Sequence, residues 1–184
     1  MRALLAIAAF AVVSFQAVAQ EYSADTTLAE DTRMVRSVTV EDIKALVVAE
    51  GHTLTGVGTY GDVSVRAKTE DGLIFHVIGS ACEDNAEEGC LGFMIQVHYT
   101  ADEDVTLEAV NTANLTYAAV TAWLDKDSNT LGVLRYVILD GGQTMENLKV
   151  NLTNALLLAP LVRDIIWPED DIWEDDFWGD LDDE

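Results

Sequence analysis

Three segments of the chain place apolar residues at the three- and four-residue spacing of an amphipathic helix. The first follows Thr39, a favourable helix-capping residue, and ends at Gly51, whose lack of a Cβ suits a helix C-terminus. The second covers residues 106–114, and the third begins after Thr144. Pro160 is expected to kink or restart the third helix, because proline lacks the amide donor that a helix needs.

The stretches between these helices alternate apolar and polar residues with the period of two that is typical of strands. Asp71 and Gly72 predict a hairpin turn between the first two alternating runs, and the glycine-rich residues 55–61 predict a flexible lead into them. Five strands are predicted, at residues 63–68, 73–80, 91–99, 116–125 and 131–140. The expected fold class is therefore α+β: an antiparallel five-stranded sheet with helices packed on one side, in the order α-β-β-β-α-β-β-α.

Residues 1–19 have the pattern of a cleavable secretory signal peptide. Arg2 precedes an apolar run, and Ala17 and Ala19 are small residues at the positions that a signal peptidase recognises. We therefore expect the mature chain to begin at Gln20 and to be periplasmic or secreted; the alternative is an uncleaved N-terminal anchor. Residues 20–37 are polar and aperiodic, which predicts a disordered leader.

Acidic residues far outnumber basic ones in this chain. The sequence has 33 Asp and Glu against 10 Lys and Arg, a net charge of −23. Such a field repels nucleic acid and anionic lipid, so neither is an expected partner. It suits solubility, cationic partners or divalent ions. No apolar run in the mature chain predicts a membrane span.

Cys82 and Cys90 are the only cysteines in the sequence. In an oxidising compartment their spacing predicts a loop-closing disulfide, since redox-active pairs are usually closer together and a zinc site needs two further ligands. The pairing also sets the register of the flanking strands. That register turns an apolar face toward the core and puts His76 and His98 together on the other face.

The two histidines are the candidate for a metal or small-ligand site. As diagonal neighbours, His76 and His98 would bring two imidazoles within reach of a shared zinc or copper ion. The alternative is a solvent-facing or helix-covered pair, so no metal ligand is assigned and no cofactor is expected. No serine or cysteine lies in a recognisable nucleophile motif, and residues 55–61 lack the lysine of a phosphate loop. We therefore expect a protein that is not an enzyme.

The end of the chain, residues 167–184, interleaves ten acidic residues with aromatic ones. Trp173, Phe177 and Trp178 are the candidate partner-binding residues, because solvation alone does not require three large aromatic side chains. They would contact either another protein or the folded domain of the same chain. The alternative is a solubilising tail with incidental aromatic residues.

Several short motifs follow one another in a recognisable order. They are the Val-Thr-Val-Glu-Asp-Ile-Lys-Ala-Leu segment at residues 38–46, the Cys82–Cys90 segment before an alternating strand, Asn-Thr-Ala-Asn at 111–114, Ala-Trp-Leu-Asp at 122–125 and the Gly141-Gly142 turn before Glu-Asn-Leu. Their order and spacing resemble the YbjN domain family of bacterial sensory transduction regulators, over residues 38–166. The chain departs from the pattern at Leu115, where the family usually has a basic residue.

The resemblance implies a fold like that of the type III secretion chaperones, small α+β binding proteins that often dimerise, and it implies no enzymatic activity. We therefore expect a folded domain over residues 38–166 that acts as an exported, non-enzymatic protein-binding or chaperone-like regulatory module. Its expected partner is another protein or a second copy of the chain. The alternative is a periplasmic protein that binds a metal ion or small ligand through His76 and His98.

Overall fold

The structure, a computed structural model, describes residues 22–82 and 89–168. Each of its three α-helices begins after a threonine whose hydroxyl accepts a backbone amide hydrogen bond from three residues further on. The helices are α1 (Val40–Ala49), α2 (Leu107–Thr116) and α3 (Met145–Ile166), preceded by a 3-10 turn at Thr26–Ala29. The strands are β1 (Met34–Val35), β2 (Thr53–Val57), β3 (Ser64–Lys68), β4 (Ile74–Cys82), β5 (Cys90–Thr100), β6 (Thr121–Asp125), β7 (Thr130–Ile138) and β8 (Gln143–Thr144).

Within the described residues, six strands form one antiparallel sheet in the order β2-β3-β4-β5-β7-β6, and β1 pairs separately with β8. The predicted α+β class is confirmed, but the prediction of five strands is wrong. The additional strand, β2, lies in a segment whose glycines suggested flexibility. Leu54 of β2 pairs with Ala67 and is buried, and a register shift between Leu54 and Gly56 interrupts the alternation. This bulge explains why a period-two pattern did not reveal the strand.

One face of the large sheet packs against the helices. Phe75, Phe93 and Ile95 of the central strands are at most 1% exposed, as are Ile43 of α1 and Leu148 of α3. All five belong to one hydrophobic cluster, which confirms the predicted core face. Because successive side chains of a strand point to opposite sides, the alternate residues of these strands point away from the helices.

The segment before α1 is ordered over the part that the structure describes, so the prediction of a disordered leader is wrong for residues 22–37. Val35 of β1 is 1% exposed. Arg33 anchors the segment, since its guanidinium donates to the Leu28 carbonyl at 2.7 Å and to the Asp42 carboxylate at 2.6 Å. Asp42 also completes the capping box of α1. Hydrogen bonds of this kind order a polar segment without producing a hydrophobic pattern.

The hairpin of β4 and β5 has the register that the cysteines predicted. Cys82 and Cys90 form a disulfide and are register partners, with their Cα atoms 3.9 Å apart. The same register pairs His76 with Gln96. Residues 83–88, between the cysteines, lie outside the described part of the chain.

The third helix continues through Pro160 as one helix, so the proline does not restart it. Ala159 and Val162, on either side of the proline, remain buried against the core. The length of α3 does not make it a membrane span: among the described residues, no helix combines the length and hydropathy needed to cross a bilayer.

Candidate functional site

We call the sheet face opposite the helices the open face. Several of its large apolar side chains are exposed to solvent: Ile74 by 42%, Tyr136 by 45% and Ile138 by 59%. The half-buried apolar residues of the same face are Ile78, Met94, Trp123 and Leu134. The register aligns Ile78, Met94 and Tyr136 across three adjacent strands, so the apolar surface is continuous there. Apolar surface of this kind typically marks a binding site.

Four rings from four segments of the chain form a row across the open face. The Tyr60 ring meets His76 edge-on with 4.8 Å between ring centroids, and His76 lies 5.6 Å from His98. His98 in turn lies 5.7 Å from Trp123. We call these four residues the histidine row. The structure places the two histidines side by side, as the strand register predicted.

Glycine residues make room for two aromatic rings of the open face. Trp123 of β6 lies over Gly132, its register partner in β7. Tyr136 of β7 lies over Gly92 of β5, and its hydroxyl accepts a hydrogen bond from Ser80 at 3.2 Å. At Gly132 a Cβ atom would overlap the indole ring, and at Gly92 it would overlap the Tyr136 hydroxyl and the Val137 carbonyl, so a larger residue at either position would disturb this packing.

The loop between β2 and β3 covers one end of the histidine row. The Tyr60 amide donates to Oγ of Ser64 at 3.0 Å, and this buried hydroxyl donates to the Gly61 carbonyl at 2.8 Å. Gly58 and Gly61 have φ angles of +76° and +103°, which residues with a side chain rarely adopt. Within the glycine-rich segment, residues 55–57 thus belong to β2 and residues 58–61 form a shaped loop that holds Tyr60 against His76, not a flexible lead.

Burial makes both histidines of the row weak bases. His76 is 8% exposed, and its burial, followed by the charges of His98 and Arg66, lowers the pKa of His76 to about 4. Burial also lowers the pKa of His98. Nε2 of His98 lies 2.9 Å from the Gln96 side-chain oxygen, whereas Nδ1 of His76 has no hydrogen-bond partner among the described residues. At neutral pH the row presents uncharged imidazoles, which suit contacts with apolar and aromatic groups.

The metal-binding interpretation rests on these two imidazoles alone. In residues 22–82 and 89–168, no group of three or more His, Cys, Asp or Glu side chains is placed to hold a metal ion. The remaining histidine, His52, directly precedes β2 and packs edge-on against Phe75, with 5.2 Å between ring centroids. It lies on the helix side of the sheet and is not part of the row.

A family comparison assigns this fold to a known group. Residues 39–162 match the model of the YbjN family, described as "Putative bacterial sensory transduction regulator". The chain belongs to the YbjN family. The YbjN match begins at the capping residue of α1 and ends within α3, so it contains all six strands of the large sheet. No curated protein sequence matches the chain.

Solved structures give the same result for the fold. The chain is similar to an uncharacterized protein from Methanothermobacter thermautotrophicus, with a TM-score of 0.50, 14% identity, and coverage of 70% of this chain and 96% of that one. It is equally similar to YbjN from E. coli, with a TM-score of 0.50, 13% identity, and coverage of 71% and 96%. The crystal structure of the ExsC–ExsE complex follows with a TM-score of 0.48 and 10% identity, covering 72% of this chain and 99% of that one. At these identities, the first two likenesses show a shared fold alone.

The predicted partner-binding residues lie beyond the YbjN match. Trp173, Phe177 and Trp178 are outside the described residues, so their role stays a prediction. The last aromatic residue that the structure describes, Trp167, donates from its indole nitrogen to the Asp102 carboxylate at 3.0 Å and lies 6.4 Å from the Tyr99 ring. The start of the predicted tail is thus attached to the folded domain.

Sequence reasoning missed two members of the histidine row. Trp123 had an available signal, because Gly132 inside an apolar strand indicates a close approach by another group. Tyr60 had none, since its contact with His76 depends on the path of the loop. Leu115, where the YbjN family usually has a basic residue, is 78% exposed near the end of α2.

Proposed function

We propose that the protein is an exported binding module of the YbjN family that engages an apolar segment of another protein through the open face. The observation that carries this proposal is the open face itself, where exposed apolar side chains lie beside a row of uncharged rings. An extended segment points alternate side chains to one side, and burying those side chains on such a surface is favourable. Binding, not chemistry, is the role that these neutral and apolar groups suit.

The distribution of charge indicates which partner the open face accepts. Although the chain has 33 acidic residues, the strands β3, β4, β5 and β7 contain no Asp or Glu. Arg66 and Lys68 of β3 lie on the open face. A neutral or mildly acidic apolar segment therefore meets no repulsion from these strands. A second copy of the chain brings its own net charge of −23, which opposes self-association.

Site-specific photo-crosslinking in the organism of origin tests the open face. We expect p-benzoylphenylalanine in place of Ile138 to give a discrete adduct with a different protein, because this side chain is 59% exposed on the open face, at the end of β7. The matched control is the same substitution at Leu115, which is 78% exposed on α2 and lies outside the open face. It should give no such adduct.

Two outcomes of the crosslinking would contradict the proposed binding. If the probes at Ile138 and at Leu115 both crosslinked the same protein, that protein would have no preference for the open face. A sole adduct between two copies of the chain would assign the open face to a homodimer. Substitution of Tyr136→Ser beside the probe should reduce the yield of a genuine adduct several-fold, and urea denaturation should show that the variant remains folded.

Export is supported by the signal-like pattern of residues 1–19 and requires a separate test. Intact mass measurement of protein from the periplasmic or secreted fraction should give a chain that starts at Gln20. A chain that keeps Met1 and sediments with membranes would instead indicate an uncleaved anchor. The open face does not depend on this result.

A metal- or small-ligand-binding role remains a second candidate because Nδ1 of His76 is buried without a hydrogen-bond partner among the described residues, beside His98. Titration of the full chain with zinc or copper(II) tests it. Stoichiometric binding that is lost in both His76→Gln and His98→Gln would favour this role. Binding that survives both substitutions would place the metal elsewhere, on the acidic surface.

A further inference from the structure

A cleft of about 680 Å³ lies at the helix side of the molecule, between the end of α1, the β3–β4 turn and the middle of α3. This volume is within the range of ordinary ligand sites. Its apolar part is formed by Leu73, Leu156, Leu157 and Pro160. Leu157 is 63% exposed, an unusual position for a leucine in the middle of a helix that packs on the core. No residue of the histidine row lines the cleft, so the two sites are separate.

Carboxylates surround this apolar surface. Glu50 comes from the end of α1 and accepts a hydrogen bond from the Thr153 hydroxyl at 3.1 Å. Glu70 and Asp71 come from the β3–β4 turn. The Thr69 hydroxyl donates to Asp71, and this bond lowers the pKa of that carboxyl, so Asp71 is ionised at neutral pH.

The described residues that line the cleft include no lysine or arginine to balance these charges. His52 also lines the cleft, but burial lowers its pKa, which keeps the imidazole neutral near pH 7. An occupant therefore meets an apolar surface with three negative charges beside it.

Charge decides between the candidate occupants. The acidic tail of the same chain has ten Asp and Glu and no Lys or Arg within residues 167–184, so the cleft repels it. A second copy, with a net charge of −23, is disfavoured for the same reason. An apolar ligand that carries positive charge is attracted by both parts of the site.

We propose that this cleft binds a basic, apolar peptide segment of a partner protein, with an aliphatic or aromatic side chain on Leu73 and Leu157 and a lysine or arginine beside Glu70 and Asp71. Such a segment differs from the neutral or acidic one that suits the open face. The cleft thus gives the protein a second docking site with the opposite charge preference. Its test is independent of the test for the open face.

Three matched peptides test the charge preference on the full chain without its signal. The probe is acetyl-Gly-Leu-Lys-Phe-Lys-Leu-Gly-amide, and its two partners have glutamine or glutamate in place of both lysines. Isothermal titration should give a dissociation constant roughly tenfold lower for the lysine peptide than for the glutamine peptide, since two near-surface charge pairs are worth about that factor. The glutamate peptide should not bind measurably. Raising the NaCl concentration should lower the affinity of the protein for the lysine peptide, because salt screens the charge pairs.

Matched variants place the binding in the cleft. Glu70→Gln with Asp71→Asn should abolish most of the advantage of the lysine peptide over the glutamine peptide. Leu157→Ser should lower the affinity for both peptides several-fold. Because Leu157 lies in α3, this variant tests the cleft even if the double substitution disturbs the β3–β4 hairpin. The control pair, Glu108→Gln with Asp140→Asn, removes two exposed carboxylates that do not line the cleft and should change neither constant. Amide shifts in nitrogen-15 NMR spectra should change at Gly51 and Leu73.

The outcomes separate a site from general attraction to an acidic chain. The proposal is supported if the double variant in the cleft loses the preference for the lysine peptide while the control double variant keeps it, and if the amide shift changes map to the cleft. It is overturned if the test and control variants lose affinity equally, or if the shifts spread over the whole surface. Equal affinity for all three peptides also overturns it, because the carboxylates would then play no part.

Discussion

The apolar residues on the two faces of the large sheet differ in how far the surrounding elements cover them. On the face that packs against α1 and α3, Phe75 and Phe93 are fully buried. On the open face, residues of the same apolar type stay in solvent, and Ile138 is 59% exposed. An apolar residue in a strand therefore does not reveal whether it packs in the core or forms a binding surface. The elements that cross each face decide this.

The open face itself changes along its width. Near the β2–β3 loop, Tyr60 covers His76, which is 8% exposed. Trp123 is half-buried over Gly132, and Ile138 has the least cover. Substitutions should therefore cost stability in proportion to local cover, from the core face through the histidine row to Ile138.

Phe93→Ala should cause the largest loss of stability. Removing a fully buried aromatic ring from the core face leaves a cavity and should lower the free energy of unfolding by about 3–5 kcal/mol. Urea denaturation monitored by circular dichroism measures this loss. Tyr136→Ala, in the adjacent strand on the open face, is the matched control and should cost less than half as much. Equal losses would show that the open face is also covered in solution.

Acid should destabilise the protein through His76. Its pKa is about 4 in the folded state, below the ordinary histidine value near 6.5, so the unfolded chain binds the proton more readily between these pH values. The stability that depends on neutral His76 is present above pH 6.5 and is lost as the pH falls toward 4, by up to about 3 kcal/mol. His76→Gln should remove this part of the acid loss in urea titrations at pH 7 and pH 4.5.

His52→Gln is the control for this pH dependence. His52 also has a lowered pKa because of burial, but it lies outside the histidine row. Substitution of His52 should leave unchanged the part of the acid-induced loss of stability that is due to His76. An NMR titration that gives His76 a pKa above 6 would contradict the burial by Tyr60 on which the prediction rests.

Gly132→Ala should have an intermediate effect. The new Cβ would overlap the Trp123 indole, and displacing the ring should cost about 1–3 kcal/mol and change the tryptophan fluorescence. Gly56→Ala is the control, since a Cβ at Gly56 lies 3.5 Å from the nearest side-chain atom and its φ angle is not positive. If both variants have the wild-type stability and spectrum, Trp123 does not lie over Gly132 in solution.

The parts of this fold that sequence reasoning predicted correctly have local signals. The capping threonines mark the helix starts, and the Cys82–Cys90 pair determines the register that brings His76 and His98 together. The parts it missed depend on distant contacts. A bulge hides β2, and a chain reversal that the periodicity did not indicate brings Tyr60 to His76.

The boundary between α2 and β6 shows the same limit. The sequence predicts a strand over residues 116–125, but α2 runs to Thr116 and β6 begins at Thr121. The Asn114 side chain explains the shift, because its amide bonds to both the carbonyl and the amide of Ala122, at 3.0 and 2.7 Å. One polar side chain therefore ties the end of the helix to the start of the strand, a contact that hydrophobic periodicity does not indicate.

Ile138→Ser should have the smallest effect on stability and so gives the sharpest test of the two faces. Because this side chain is 59% exposed, its loss should change the free energy of unfolding by less than about 0.5 kcal/mol. It should nevertheless lower the fluorescence of the neutral apolar dye Nile red, since the dye prefers contiguous apolar surface. Leu115→Ser on α2 removes a more exposed leucine that lies outside the open face and should leave the dye signal unchanged. A large loss of stability in Ile138→Ser, without any change in dye binding, would mean that Ile138 packs as core and that the open face is not a free surface.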